Sequence, residues 1–371
     1  MGKRVLLSLF DMLSGVVTII PALLAAGGAF AGHVHPAQHA GLQWMGLFLP
    51  LLLAINLVLM VYWMARRKGW FLFPMLGILL NIPYLAGTIQ WPVKEVEPPM
   101  NELNVATYNI QRGGRGGLQV TGPEIARFME EKKVDILCFQ EFPVANGAAL
   151  KAITKIFRLF PYYKVTSSSP DGMHVALFSR YPILQSGEIR FPDENSTRAL
   201  WADLDIDGQT VRVFNAHLQT TNLNQNRINP LDNMDATASR LIRLKDMMDE
   251  NSVIRANQAN LLRDQIDESP HPVIVCGDFN DTPASYAYKR IRGDRGDSFR
   301  SAGKGYGYTY RYLRKLFRID YLLYSREGIR AVHYASPELE HSDHKPVIVK
   351  LDVIPVTRSR KNPAREEQNQ K

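Results

Sequence analysis

Near its C-terminus the chain reads HSDHKP, His341 to Pro346, two histidines around a serine and an aspartate. Such residues suit general acid–base chemistry, because imidazole titrates near neutral pH and a carboxylate accepts a proton or a cation. Partners recur upstream at the ends of apolar runs: Asn109, Gln140 with Glu141, His217, Asp278 with Asn280, and Asp320. The set offers oxygen and imidazole donors and no thiolate, which suits a hard cation such as Mg2+ or Mn2+. Each position also has a purely structural reading. Asn109, Asp278 and Asn280 fit turns or caps, Asp320 fits a satisfied buried acid, and His217 fits a core histidine. His341 finds no assignable partner.

To act together these residues need elements that bring strand ends to one edge. From Leu103 onward, LNVATYNI, VDILCFQE, HVALFSR, ALWADLDI, TVRVFNAHL, PVIVCGDFN, IDYLLY and PVIVKLDV read as strands. PEIARFMEEK and Arg255 to Ile266 have helical spacing, and no internal repeat is present. The pattern predicts two packed sheets covered by helices, one α/β domain. Cys138 and Cys276 each sit inside an apolar run, which predicts buried thiols and neither a disulfide framework nor a CxxC metal site. Arg180-Tyr181-Pro182 reads as a turn after a strand.

Residues 1–92 differ in character. Three apolar stretches, Val5–Ala31, Leu42–Met64 and Trp70–Trp91, are each long enough to cross a bilayer. Lys3 and Arg4 precede the first and Arg66-Arg67-Lys68 separates the last two, whereas AGHVHPAQHAG carries no lysine or arginine. The positive-inside rule then places the chain after Trp91 on the outer, periplasmic or extracellular, side of a multi-pass inner-membrane protein. Reading the first stretch as a cleaved signal peptide ending at Ala29-Phe30-Ala31 leaves that side unchanged. His33, His35 and His39 fit a metal site less well than a solvated loop, and the spans, without paired charges, do not suggest a transporter. VKEVEPPMNEL supplies a linker over 93–101, a soluble domain spans 102–354, and the basic tail 355–371 reads as disordered. The net charge of +8 is compatible with anionic partners and decides nothing about fold.

TYNIQ, FQEF, FNAHLQ, GDFND, RIDYLL and SDHKPV, in this order, resemble the endonuclease/exonuclease/phosphatase superfamily, which includes deoxyribonuclease I, apurinic-site endonucleases, bacterial neutral sphingomyelinases and inositol polyphosphate 5-phosphatases. The resemblance implies a four-layer α/β sandwich, two packed β-sheets flanked by helices, here preceded by the transmembrane helical region. It implies Mg2+-dependent (or Mn2+-dependent) hydrolysis of phosphodiester or phosphomonoester bonds by water attack. It implies Glu141, Asn109 and Asp343 as metal residues and Asp278 as the group that positions or deprotonates water. Asn280, His217 and, more weakly, Arg198 would contact the phosphate. Asp320 would orient His344, and that dyad would either accept the water proton or stabilise charge on the phosphorane.

Two departures stand out. The acid that pairs with the first histidine in deoxyribonuclease I is replaced by Met173, leaving Asp171 or no partner for His217. Thr221 to Asn251 reads as an excursion longer than a minimal family member needs. The loop KGYGYTYRYLRKLFR, Lys304 to Arg318, interleaves aromatic and basic residues beside Asp320. It fits stacked bases, anionic lipid headgroups, or a plain solvated connection. The substrates left open are nucleic acid, lipid headgroups and small phosphodiesters. From another class, a non-catalytic membrane-tethered binding or scaffold module remains the alternative.

Overall fold

The computed structural model describes residues 2–91, 97–144, 146–167, 172–192, 198–221 and 234–354. The N-terminal region forms α1 (Gly2–Phe30), α2 (Ala40–Leu47), α3 (Leu49–Ala65), α4 (Leu72–Leu80) and α5 (Ile82–Thr88). Among the described residues one helix, Leu9–His33, is long and apolar enough by itself to cross a membrane. The other two expected spans are broken rather than straight. α2 and α3 meet at 64°, and Gly69–Leu80 meets α5 at 55°. Proline stands in the first turn of both α3 and α5. It lacks the amide hydrogen and crowds the preceding turn, so a helix restarts there in a new direction.

Polar side chains fasten these helices. Asn56 Nδ2 donates to Pro21 O at 3.0 Å and Asn81 Nδ2 to Ala25 O at 2.8 Å, contacts of the kind that hold apolar helices together. Asp11 pairs with Arg66 at 2.7 Å and Lys68 at 3.1 Å. The expectation of spans without paired charges therefore fails at one end of the bundle.

The second region is built on two six-stranded sheets. The first runs in the order β13 (Ile329–Ala335), β14 (Val347–Val353), β2 (Glu102–Asn109), β3 (Ile136–Pro143), β5 (Met173–Ser179), β4 (Tyr162–Val165). The second runs β10 (Gly296–Asp297), β12 (Asp320–Tyr324), β9 (Val273–Asp278), β8 (Gln209–His217), β7 (Arg198–Ile206), β6 (Ile183–Arg190). Short β1 (Ile89–Gln90) pairs with β11 (Gly305–Tyr306). Leu103, Val105, Cys138, Val213 and Cys276 fill the space between the sheets, both thiols buried and free. α6 (Leu118–Glu131) and α7 (Gly147–Ile156) cover one outer face, and α8 (Met234–Asp267) and α9 (Tyr286–Arg292) the other; α10 (Ser298–Ala302) is a short turn at the edge. Because both faces of each sheet are covered, β2, β9 and β12 are buried almost end to end rather than on alternate residues.

Every run expected to be a strand is one, and Arg180 to Pro182 follows β5 as a bend. β4, β6 and β13 escaped the sequence reading because their residues are partly exposed and mixed in polarity. The excursion after Thr221 includes the first half of a long helix: α8 spans 34 residues, well beyond the expected stretch Arg255 to Ile266, and residues 222–233 lie outside the described ones.

The two regions are packed together. Buried Arg318 donates to Gly87 O at 2.8 Å, Arg300 to Pro83 O at 2.9 Å, and Lys289 Nζ to Ala29 O at 3.3 Å. His35 meets the Tyr286 ring edge-on at 5.1 Å, and His33 Nδ1 lies 3.3 Å from Lys289 Nζ. The expectation of a solvated histidine loop is corrected: that loop docks on α9. Residues 93–96 of the expected linker lie outside the described ones, as does the tail from 355.

Candidate active site

The second sheet brings three acids and bases side by side. In register, Asp278 at the end of β9 faces His217 at the end of β8 and Asp320 at the start of β12. Gly277 makes this approach possible: its φ is +145°, and a Cβ there would collide with the carbonyl of Ala216. Arg198 sits opposite His217 on the neighbouring strand, at the start of β7.

The first sheet supplies the facing residues. Asn109 ends β2. Glu141 lies where the β3–β5 register shifts between Phe139 and Phe142, with φ +53°. A bulge there re-aims the side chain that would otherwise follow the strand pleat, and the left-handed backbone is a strain typical of functional positions. Asn280 is left-handed as well, φ +52°, a conformation asparagine tolerates better than most residues.

Hydrogen bonds close the constellation. Asn109 Nδ2 donates to Glu141 Oε1 at 3.2 Å and Asp278 Oδ2 at 3.0 Å, while its Oδ1 accepts from the Gln111 amide at 3.0 Å. Asn109 thus presents its amino group, not its carbonyl, to the two carboxylates. Asp278 Oδ1 accepts from the Asn280 amide at 2.8 Å. His344 Nδ1 lies 2.9 Å from Asp320 Oδ2, and its Nε2 lies 3.7 Å from Asp278 Oδ2 and 3.9 Å from Asp343 Oδ1. His217 Nε2 is also 3.7 Å from Asp278 Oδ2, too far to bond, and is buried without a hydrogen-bond partner. Asp171 lies outside the described residues. Met173 accepts from Arg112 Nε at 3.1 Å. His341 Nε2 lies 3.0 Å from Glu124 on α6, so it belongs to a different contact.

Electrostatics separates the two central groups. Burial pushes Asp278 up to about 6, with His344 pulling against it and Asp320 adding to it. For His344 burial favours the neutral ring, but the carboxylates of Asp320 and Asp278 outweigh it and raise the group to about 10. Burial also raises Asp343, opposed by His344 and assisted by Glu141.

Asp278, Asp320 and His344 each place a ligating atom within 4.8 Å of the others, close enough to share an ion. Two facts argue for a different division of labour. Nδ1 of His344 is committed to Asp320, and a ring held as imidazolium has no lone pair to give a cation. Glu141 and Asp343 form the remaining oxygen-rich side, and those donors fit a hard divalent cation; Asn109, expected as a third metal residue, turns its amino group to Glu141 and so orients that carboxylate instead of ligating.

Several supporting residues were missed. Asn215 Nδ2 donates to Phe139 O at 3.0 Å and Ala176 O at 2.9 Å, and Gln140 Nε2 donates to Asn215 Oδ1 at 2.6 Å, stitching the sheets beneath the site. Its position two residues before His217, on the same strand face, was the available signal. Ser342 Oγ donates to Asn109 O at 2.7 Å and accepts from the His344 amide at 3.0 Å. Arg255 of α8 bonds Asp281 and Gln219 O, a contact no local pattern announces.

The site floors a cleft of about 620 Å3 whose lining includes Glu141, His217, Asp278, Asn280, Asp343 and His344. A family model described as Endonuclease/Exonuclease/phosphatase family matches residues 106–344, and a Domain of unknown function (DUF8431) matches residues 8–88. Among curated proteins no relative matches. Solved structures share the fold: humanized D. rerio TDP2 at 18% identity covers 68% of this chain and 100% of that one, with a TM-score of 0.51. An endonuclease/exonuclease/phosphatase from Beutenbergia cavernae DSM 12333 (18% identity, 68% and 72% covered, TM-score 0.52) is similar, as is one from Bacteroides vulgatus (19%, 68% and 99%, 0.50). The family match spans more than half of the chain and takes in every strand end that converges on the cleft: this protein belongs to the endonuclease/exonuclease/phosphatase family.

Proposed function

We propose that the protein is a membrane-anchored, divalent-metal-dependent phosphoesterase. The observation that carries this is the opposed tuning of two neighbours, Asp278 and His344, on the floor of one cleft. Groups whose environments push their pKa values apart are the natural acid–base pair of a hydrolase. Asp278, ionised at neutral pH, takes a proton from the attacking water. The water oxygen bonds to phosphorus, the bond from phosphorus to the leaving oxygen breaks, and the alkoxide departs as an alcohol with a proton from bulk water. His344, kept as imidazolium by Asp320, donates to the phosphoryl oxygens as negative charge builds there. Asn280 and His217 orient the phosphate, with Arg198 beside His217. Glu141 and Asp343 would hold Mg2+ or Mn2+, whose charge neutralises the phosphoryl group, while the amino group of Asn109 orients the Glu141 carboxylate.

The multi-pass topology belongs to the same proposal. α1 and the two bent helix pairs supply up to three spans, and the loop Arg66–Lys68 marks the cytoplasmic end, away from the bundle end that docks on the catalytic region. A scaffold role is disfavoured, because a non-catalytic module has no use for a buried, mutually tuned acid–base set. The test is hydrolysis of bis(4-nitrophenyl) phosphate by the full-length protein in detergent. Turnover is expected with Mg2+ or Mn2+, none with chelator, and a loss of at least about a hundredfold in His344→Ala. Full activity in chelator, or in His344→Ala, refutes the reading.

A further inference from the structure

The catalytic cleft is not made by the catalytic region alone. Gln43, Trp44, Gly46 and Leu47 of α2 line it, together with Met248 of α8 and Leu313 and Phe317 of the loop before β12. Trp44 is anchored there: its Nε1 donates to Asp249 Oδ1 at 2.6 Å, and its ring stacks on Phe48 at 6.1 Å. The helix that carries it turns by 64° into α3, an apolar helix whose Leu51, Leu57, Val58 and Val61 are exposed. One wall of the cleft is therefore continuous with the surface that a bilayer would cover. Tyr312, Leu313 and Leu316 are exposed on a loop tip whose residues Leu313, Arg314 and Lys315 are all left-handed, φ +52°, +60° and +57°.

Charge narrows the occupant. Beside His344 on the floor, the cationic side chains among the described lining residues are Arg112 and Arg255, against the carboxylates Glu141, Asp249, Asp278, Asp281 and Asp343. Arg255 is engaged by Asp281 at 3.1 Å. A groove that tracks a nucleic-acid backbone is cationic along its length, because each phosphate needs neutralising. This one suits a single phosphate on its floor and uncharged matter along its wall, and its volume is that of a site for a much larger ligand than a phosphate.

We infer that the substrate is an amphiphilic phosphoester, its phosphate on the floor at Asp278 and His344 and its apolar chain along Trp44, Leu47, Met248, Leu313 and Phe317, reached from the bilayer. The inference rests on the phosphoesterase reading above and adds the substrate class. It also gives the N-terminal helices a part in substrate selection beyond anchoring: α2 is a wall of the site.

The test uses full-length protein in detergent with Mn2+ and two probes, methyl and octyl 4-nitrophenyl phosphodiesters, plus a single-stranded DNA oligonucleotide. The octyl ester is expected to exceed the methyl ester in kcat/KM by at least about tenfold, roughly what burial of two methylenes gives. That ratio should fall to near one in Trp44→Ala and in the milder Leu47→Ala, with circular dichroism and the melting temperature reporting that each variant folds. Equal kcat/KM for both esters overturns the inference alone, as does a ratio unchanged in both variants or faster cleavage of the oligonucleotide than of the octyl ester. No turnover of any probe overturns the phosphoesterase reading and this inference with it.

Discussion

His344 Nδ1 lies 2.9 Å from Asp320 Oδ2, and the two side chains are buried, at 6% and 1% exposure. In that setting the pair works as a unit: the carboxylate fixes the ring and keeps it charged. Asp320→Asn retains the size and an acceptor while removing the charge. We expect kcat for bis(4-nitrophenyl) phosphate to fall by about a hundredfold or more, with the fold intact by circular dichroism. Unchanged steady-state kinetics would exclude the dyad.

The same pair predicts a pH dependence. The folded pKa of His344, about 10, lies above its ordinary value of 6.5. The stabilisation it contributes is therefore fully present below pH 6.5 and is lost as pH rises toward 10. In metal-free protein, imidazole NMR should show His344 protonated throughout pH 7–9. The stability gap between wild type and His344→Gln should shrink steadily over that interval. A ring that is neutral at pH 7.5 contradicts both expectations.

Glu141 stands on a bulge that turns its carboxylate toward Asn109 and the cleft. Glu141→Gln should weaken Mn2+ binding, measured calorimetrically, by roughly tenfold or more, since even supporting groups of metal sites cost that much. Binding at wild-type affinity would move the ion to another donor set, with Asp278, Asp320 and His344 the next candidates.

Arg318 is fully buried, pairs with Asp297 at 2.6 and 3.0 Å, and donates to Gly87 O at 2.8 Å. Its guanidinium also lies 4.6 Å from the Tyr321 ring centre. Arg318→Met strands the Asp297 charge in the interior and should cost about 3–5 kcal/mol, seen as a large drop in Tm. The double variant Arg318→Met, Asp297→Leu should recover part of that loss. An unchanged Tm in the single variant would mean that the joint between helices and sandwich carries little of the stability.

A reporter enzyme fused after Trp91 should be active only outside the cytoplasm under the proposed topology, in which the positive-inside rule assigns the Arg66-Arg67-Lys68 end of the bundle to the cytoplasm. Asp11 neutralises part of that basic loop, so Asp11→Asn should sharpen the orientation bias. A cytoplasmic signal would invert the topology.

The strands and the polar residues at their ends were legible in the sequence for one reason. A β-branched apolar run that stops at an acid, amide or histidine shows both a buried strand and the edge where burial ends. β2, β3, β8 and β9 are of this kind. Nothing local marks β4, β6 or β13, which lie at or near sheet edges and are half wetted. Straight spans were read from hydropathy alone, although Pro50 and Pro83 mark the places where the helices turn.

What the tertiary structure decided is which of these ends meet, and what roofs them. Residue types and order pointed to Asp278, Asp320 and His344. Only strand register places Asp278 between His217 and Asp320, and only the packing of two sheets sets Glu141 and Asn109 against them. The contact between Trp44 and Asp249 joins residues 205 apart, on segments whose sequences give no sign of each other. Local sequence carries propensity and polarity; burial, and the pKa values and specificity that follow from it, arise where distant segments exclude water together.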